Sequence, residues 1–198
     1  FYKESYVLVS DPTTGGMKAI AGIRLITNGK EQSFQDVSIN VIKNAYTVGS
    51  AVKGASMAVG YQNGIIDIGS TMTDSCVKLA NMPAKCSYKR LGSLNDIEAL
   101  ALSSNYYQFI IALGIMGYDY TYNMKAEASL EHFNTYRNTF ASFGLGTSTG
   151  IDLPGESTGL KGTTIAPDLL MNLAIGQYDL YTPVELLQYI NTIANNGS

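Results

Sequence analysis

"YTVGSAVKGASMAVGYQNG", residues 46–64, decides how the rest of the chain is read. Glycine and serine stand first, as at a helix start, and small apolar residues follow: Ala51, Val52, Ala55, Met57, Ala58 and Val59. A helix so apolar is buried nearly all round. Lys53 nevertheless sits in its first turn, three residues after Ser50. Positions i and i+3 share one helix face, so the hydroxyl and the amine are neighbours whatever the remaining fold. Gly60 and Gly64 are the candidate stops.

Outward from this helix, the chain reads as a well-buried globular domain. It has 198 residues, 45% of them hydrophobic and 15% charged, enough for one substantial core. A net charge of -3 argues against a nucleic-acid binder, which usually shows a basic face. "YYQFIIALGIMGY" is too short to cross a membrane and reads as a core helix. No signal peptide or low-complexity segment is visible. The opening "FYKESYVLVSD" reads as entry to a strand, and the chain stops at "NTIANNGS" just past a helical pattern. Both ends are expected to be edges of a larger protein.

"YVLVSDPTTGGMKAIAG" is a β-hairpin signal, two apolar runs around a Pro/Thr/Gly cluster. "QDVSINVIKNAY" reads as loop with short helical turns, and residues 65–93 as a small β excursion. "SLNDIEALAL" reads as a helix with Ser93 as N-cap. "SSN" at 103–105 breaks it, and "YYQFIIALGIMG" resumes as a second helix. "NMKAEASLEHFNTYRNTFASFGLG" is expected to be one amphipathic helix ending at glycine, and "TSTGIDLPGESTGLKG" a long loop. "APDLLMNLAIGQ" and "TPVELLQYINTIANNG" carry proline near their starts and read as helices. Strands followed by many helices indicate an α+β or α/β domain.

The chemistry lies in a few polar residues placed among apolar ones. A serine hydroxyl becomes a nucleophile when a base takes its proton, and a lysine is that base when burial lowers its pKa. Ser50 and Lys53 meet both conditions. The ordinary alternative is a capping serine with a lysine that snorkels to water. The "SSN" break is either a plain turn or a polar cluster lining a cleft, with Ser103 relaying a proton and the Asn105 amide both donating and accepting. His132 is the lone histidine and has no partner pattern for a Ser-His-Asp triad. The aspartates at 67, 74, 152 and 179 are scattered, which gives no support to a carboxylate-pair hydrolase. Cys76 and Cys86 either face each other across a hairpin as a disulfide or are two unrelated thiols. No CxxC or Cys/His cluster points to structural zinc.

Ser50-x-x-Lys53 followed by Ser103-x-Asn105 resembles the motif order of the penicillin-binding proteins. "VLVSDPTTGGMKAIAG", "FGLGTSTGIDLPGESTG" and "AIGQYDLYTPVELLQYINTIANNG" are similar to segments of the same family in the same order. The likeness is greatest to the class B, monofunctional type. It implies a penicillin-binding-protein/serine β-lactamase-like fold, an antiparallel sheet with a largely helical lobe. It implies Ser50 as acylated nucleophile, Lys53 as general base, Ser103 in proton transfer, and Asn105 holding substrate and lysine. The implied activity is peptidoglycan D,D-transpeptidation on D-Ala-D-Ala stem peptides, with β-lactams as covalent inhibitors and no cofactor or metal. The related alternatives are a D,D-carboxypeptidase, a β-lactamase-like hydrolase and a non-catalytic penicillin-binding sensor. The resemblance also implies an extracytoplasmic domain at the bacterial cell membrane, anchored outside this chain, and a glycosyltransferase, divisome or elongation partner.

Three departures from the family pattern stand out. Val48 replaces a frequent proline, Ala51 a frequent threonine, and the third motif, Lys-Thr-Gly or Lys-Ser-Gly, is missing. Only "LKG" at 160–162 comes near it, in the wrong place. The expectation is therefore a partial transpeptidase domain over 1–198, lacking its C-terminal strands, with the third motif beyond the C-terminus. Such a fragment should be impaired, because the loss of one oxyanion-hole donor lowers the rate by about 10²–10³-fold.

Overall fold

The computed structural model describes residues 3–197. Phe1 and Tyr2, at the head of the expected first strand, and Ser198 lie outside the described residues. Two compact units emerge. One comprises residues up to 46, 141–160 and from 180 onward; the other comprises 47–140 and 161–179.

The first unit is built on an antiparallel sheet of strands β1 (Glu4–Ser10), β2 (Met17–Asn28) and β3 (Glu31–Asp36), in that order. β1 and β2 are the expected hairpin, in register from Glu4 opposite Arg24 to Ser10 opposite Met17. Alternate residues face one side, so Tyr6, Leu8, Met17 and Ile20 pack together on Val41, Ile42 and Val184. Val184 lies on helix α6 (Pro183–Ala194). That helix starts where its sequence says it should. Pro183 opens the first turn, and Thr182 and Glu185 form a reciprocal capping box. The fully buried Glu185 carboxylate also accepts from the Gly146 N–H at 2.8 Å, which pins the glycine-rich loop. Burial raises the pKa of this carboxyl above the usual range.

β3 has no counterpart in the sequence reading. All six of its residues are exposed, so "EQSFQD" shows no alternation to read. Its pairing from Ile23 opposite Asp36 to Asn28 opposite Glu31 follows from the tight turn at Gly29, which has φ +64°.

The second unit carries the residues of interest. A 3-10 turn (Gly49–Val52) runs into α1 (Lys53–Gln62). Four two-residue strands follow: β4 (Met72–Thr73), β5 (Cys76–Val77), β6 (Lys85–Cys86) and β7 (Ser93–Leu94). β4 pairs with β7, and β5 with β6, with Cys76 directly opposite Cys86. The two cysteines are bonded as a disulfide, with Cα atoms 4.3 Å apart. Helices α2 (Asp96–Ala101), α3 (Asn105–Ile115), α4 (Leu130–Ser142) and α5 (Pro167–Ala174) complete the elements.

Propensity does not hold α1 together: it contains two glycines and β-branched valine, and it is apolar on several faces. Packing does. Val52, Ala55 and Val59 are fully buried, as are Ile111, Ala112 and Leu113 of α3 and Leu170, Leu173 and Ala174 of α5. Each large apolar side chain so buried contributes about 1.5–3 kcal/mol. The Ser56 hydroxyl of α1 donates to the Ala174 carbonyl at the end of α5, 2.7 Å away, and fixes the two helices in register. The α1 helix ends at Gln62, where the Asn63 side chain caps the Val59 carbonyl and Gly64 takes φ +65°.

Two expectations need correction. Ser93 is not the α2 cap, because it belongs to β7. Asn95 is the cap, in a reciprocal box with Glu98. And α4 begins at Leu130 rather than near 123. Asn123 has φ +60°, which no helix tolerates, and Ser129 and His132 exchange hydrogen bonds that start the helix later. That exchange also gives the lone histidine a capping role. At the other side of the unit, Arg137 forms two 2.8 Å hydrogen bonds to the buried Asp179 and one to the Gly162 carbonyl.

Candidate active site

Ser50 is exposed in the 3-10 turn before α1. Two glycines make this placement possible. Gly49 has φ +56°, and its N–H donates to the Gly176 carbonyl at 2.9 Å. Gly176 has φ +70°, and a Cβ there would lie 2.2 Å from the Gly49 oxygen. Both the left-handed backbone and the close approach require glycine at 176. The Lys53 N–H donates to the Ser50 carbonyl, which carries the i to i+3 relation through a 3-10 turn rather than an α turn. Among the described residues none hydrogen-bonds the Ser50 hydroxyl.

Lys53 is only 1% exposed. Its Nζ donates to the Ser103 carbonyl at 2.7 Å, to Ser103 Oγ at 3.0 Å and to Asn105 Oδ1 at 2.6 Å. These account for all three donors of an ammonium. Burial disfavours the charged form and lowers the pKa to about 8, against a smaller opposing pull from the Asp74 carboxylate. The snorkelling alternative is therefore not what the structure shows.

The turn that meets Lys53 is a helix ending followed at once by a helix start. The Ser104 N–H donates to the Ala99 carbonyl, and the Ser103 N–H to that of Leu100, the hydrogen-bond pair of a Schellman ending. Glycine is the usual occupant of the left-handed position in that motif. Here Ser103 holds it at φ +56°, at a backbone cost of about 1 kcal/mol. Both of its oxygens reach the lysine. Ser104 then caps α3, accepting from the Tyr107 N–H at 3.1 Å, and Asn105 is the first helical residue.

Lys53, Ser103 and Asn105 are thus joined by direct hydrogen bonds, with Ser50 one turn away on the surface. Sequence reasoning missed a second set. Asp74, 8% exposed, accepts from Ser87 Oγ at 2.6 Å and Ser104 Oγ at 2.7 Å. Ser87 Oγ accepts the N–H groups of Asn105 and Tyr106. Asn105 Nδ2 donates to the Cys86 carbonyl at 3.2 Å. No local pattern marks Asp74 or Ser87, since their partners are 13–30 residues away along the chain. Among the described residues no group of three His, Cys, Asp or Glu could hold a metal ion.

A buried lysine clasped by a Ser-x-Asn turn, one turn behind an exposed serine, defines a class of site suited to serine acyl chemistry. The family model of the penicillin binding protein transpeptidase domain matches residues 5–198. Penicillin-binding protein 2A of Bacillus subtilis (strain 168) is 38% identical over 194 residues, covering 98% of this chain and 27% of that protein. Penicillin-binding protein 2B of Streptococcus pneumoniae (strain D39) is 37% identical over 201 residues, covering 97% of this chain and 29% of that protein. The solved structure of penicillin-binding protein 2B from S. pneumoniae strain 5204 superposes with a TM-score of 0.91 at 35% identity, covering 98% of this chain and 33% of that one. The chain belongs to the penicillin-binding protein transpeptidase family. It spans about a quarter to a third of the length of these relatives.

Proposed function

We propose that this chain is the serine-bearing part of a peptidoglycan D,D-transpeptidase and a target of β-lactams. The observation that carries the reading is Lys53, buried, with a lowered pKa, and gripped by both Ser103 and Asn105. The neutral amine takes the Ser50 proton as Oγ attacks the carbonyl between the two D-alanines of a stem peptide. The tetrahedral intermediate collapses, the C–N bond breaks, and D-alanine leaves with a proton returned through Ser103. The acyl-Ser50 ester is then attacked by the amine of a neighbouring stem peptide. A new amide forms, Ser50 regains its proton, and the cross-link is made. Asn105 holds Lys53 through Oδ1, and the one Nδ2 hydrogen that is not on the Cys86 carbonyl is left for the substrate backbone. A β-lactam enters the same first step, and its leaving nitrogen stays tethered, so nothing diffuses away.

In this reading residues 1–198 are part of the transpeptidase domain, and the third motif lies on chain that follows them. The relatives' greater length supports this. The domain works outside the cytoplasm, at the cell membrane, with a glycosyltransferase, divisome or elongation partner. Among the described residues no helix is long and apolar enough to cross a membrane.

The test is labelling of the full-length protein with a fluorescent penicillin and mapping of the labelled peptide by mass spectrometry. Label on Ser50, absent in Ser50→Ala, is the expected result. Label on another serine overturns the assignment.

A further inference from the structure

The disulfide hairpin meets the Ser-x-Asn turn through an ordered set of contacts that the acyl-transfer mechanism leaves unused. Asp74 lies two residues before Cys76, and Ser87 one residue after Cys86. The bond between opposed cysteines therefore closes the mouth of the hairpin where these two residues leave it. Across that mouth the Ser87 hydroxyl donates to Asp74 Oδ2 and accepts the Asn105 and Tyr106 N–H groups at 3.0 and 3.3 Å. Those two N–H groups lie in the first turn of α3, where no intrahelical acceptor exists. Asp74 Oδ2 takes the Ser104 hydroxyl as well. The Asn105 amide is then held at both ends, Nδ2 on the Cys86 carbonyl and Oδ1 on Lys53.

Resting on the reading of Ser50 and Lys53 above, we propose that Asp74 and Ser87, drawn together by the Cys76–Cys86 bond, are positioning residues that aim Asn105 and the Ser103 oxygens at Lys53. Neither touches the reacting atoms. Ser87 fixes the backbone of residues 105 and 106 through their N–H groups, Asp74 holds the Ser104 side-chain hydroxyl, and the Cys86 carbonyl selects the amide orientation. Ser104 caps α3 through the Tyr107 N–H, and Ser87 accepts the two N–H groups before it, so a role confined to starting the helix predicts lost stability with an unchanged saturating rate constant.

Both cysteines are exposed, and with Asp74 and Ser87 they line a pocket of about 230 Å³, rimmed by Lys89 and Arg90. The pocket brings this arrangement within reach of solvent.

The experiment measures acylation of the full-length protein by a fluorescent penicillin over a range of concentrations. It separates the rate constant at saturation from the concentration giving half that rate. Ser87→Ala should lower the saturating rate constant about 10- to 100-fold, the scale of a small misplacement, and leave the half-saturating concentration nearly unchanged. Ser87→Thr, which keeps the hydroxyl, should restore most of it. Cys76→Ala with Cys86→Ala, which removes the cross-link and keeps the Cys86 carbonyl, should give an intermediate loss of about 3- to 10-fold. A folded Ser87→Ala protein that acylates at the wild-type rate, or a Ser87→Thr protein that does not recover, overturns the proposal. So does failure of both the serine and the cysteine variants to fold, which makes the network structural only. Wild-type label found elsewhere than Ser50 instead refutes the acyl-transfer reading itself.

Discussion

Consider acylation by a fluorescent penicillin followed as a function of pH from 6 to 9.5. Two opposed forces act on Lys53. Burial favours the neutral amine, and the Asp74 carboxylate favours the ammonium; the first is larger, so the pKa falls to about 8. If the neutral amine is the base, its fraction sets the rate. That fraction is roughly 9% at pH 7, half at pH 8 and 91% at pH 9 for a pKa near 8. The rate should therefore rise about tenfold between pH 7 and 9 and level off near the upper end. A lysine with its ordinary pKa of 10.5 would give a rise of about 100-fold over the same interval with no levelling. A Ser50→Ala blank removes label that does not pass through the serine. In Lys53→Arg the guanidinium cannot deprotonate, so acylation should fall by orders of magnitude and lose its rise with pH. A flat profile between pH 6.5 and 8.5, or near-normal acylation in Lys53→Arg, refutes the reasoning. The same shift has a stability consequence. The unfolded chain binds more protons than the folded one between about pH 8 and 10.5 at this residue, so its unfavourable contribution is full below pH 8 and vanishes as pH rises through 10.5.

Gly176→Ala forces a Cβ against the Gly49 oxygen in a left-handed backbone, so it should destabilise by about 2–4 kcal/mol and slow acylation, read by thermal melting and labelling. Unchanged melting would mean the turn relaxes freely. Removal of the disulfide opens a loop spanning ten residues, for which chain entropy gives about 2.7 kcal/mol; urea unfolding of Cys76→Ala/Cys86→Ala checks it. Asp179→Asn leaves the Arg137 guanidinium buried beside a neutral partner and should cost about 3–5 kcal/mol, measured in the same way; a loss below 1 kcal/mol would show that the pair is not needed.

Elements with a local chemical marker were legible. Pro167 and Pro183 open their helices, and the Ser50 helix and the break at 103–105 fall where the apolar pattern stops and resumes. Ser93 was the wrong cap although the better one was in view, since Asn95 and Glu98 have capping-box spacing. β3 and the irregular stretch 123–129 escaped because exposed or polar sequence carries no period. In the site, Lys53, Ser103 and Asn105 could be named from motif spacing, and their hydrogen bonds join them directly. Asp74 and Ser87 could not, because only the paired register of the hairpin brings them to the turn. The cysteines stood between the two cases. Their ten-residue separation admitted either reading, and the direct opposition of β5 and β6 decided it.

The three acceptors around Lys53 differ in kind. The Ser103 carbonyl and Asn105 Oδ1 can only accept, whereas Ser103 Oγ–H can also donate. An ammonium supplies three hydrogens and satisfies all of them. A neutral amine supplies two and offers a lone pair, so one neighbour must reverse its polarity. Only the Ser103 hydroxyl can do so, by turning its hydrogen toward Nζ, and it must turn away again before the lone pair takes the Ser50 proton. The clasp thus accommodates both protonation states without moving a heavy atom, and the difference between them is one rotation about the Ser103 C–O bond.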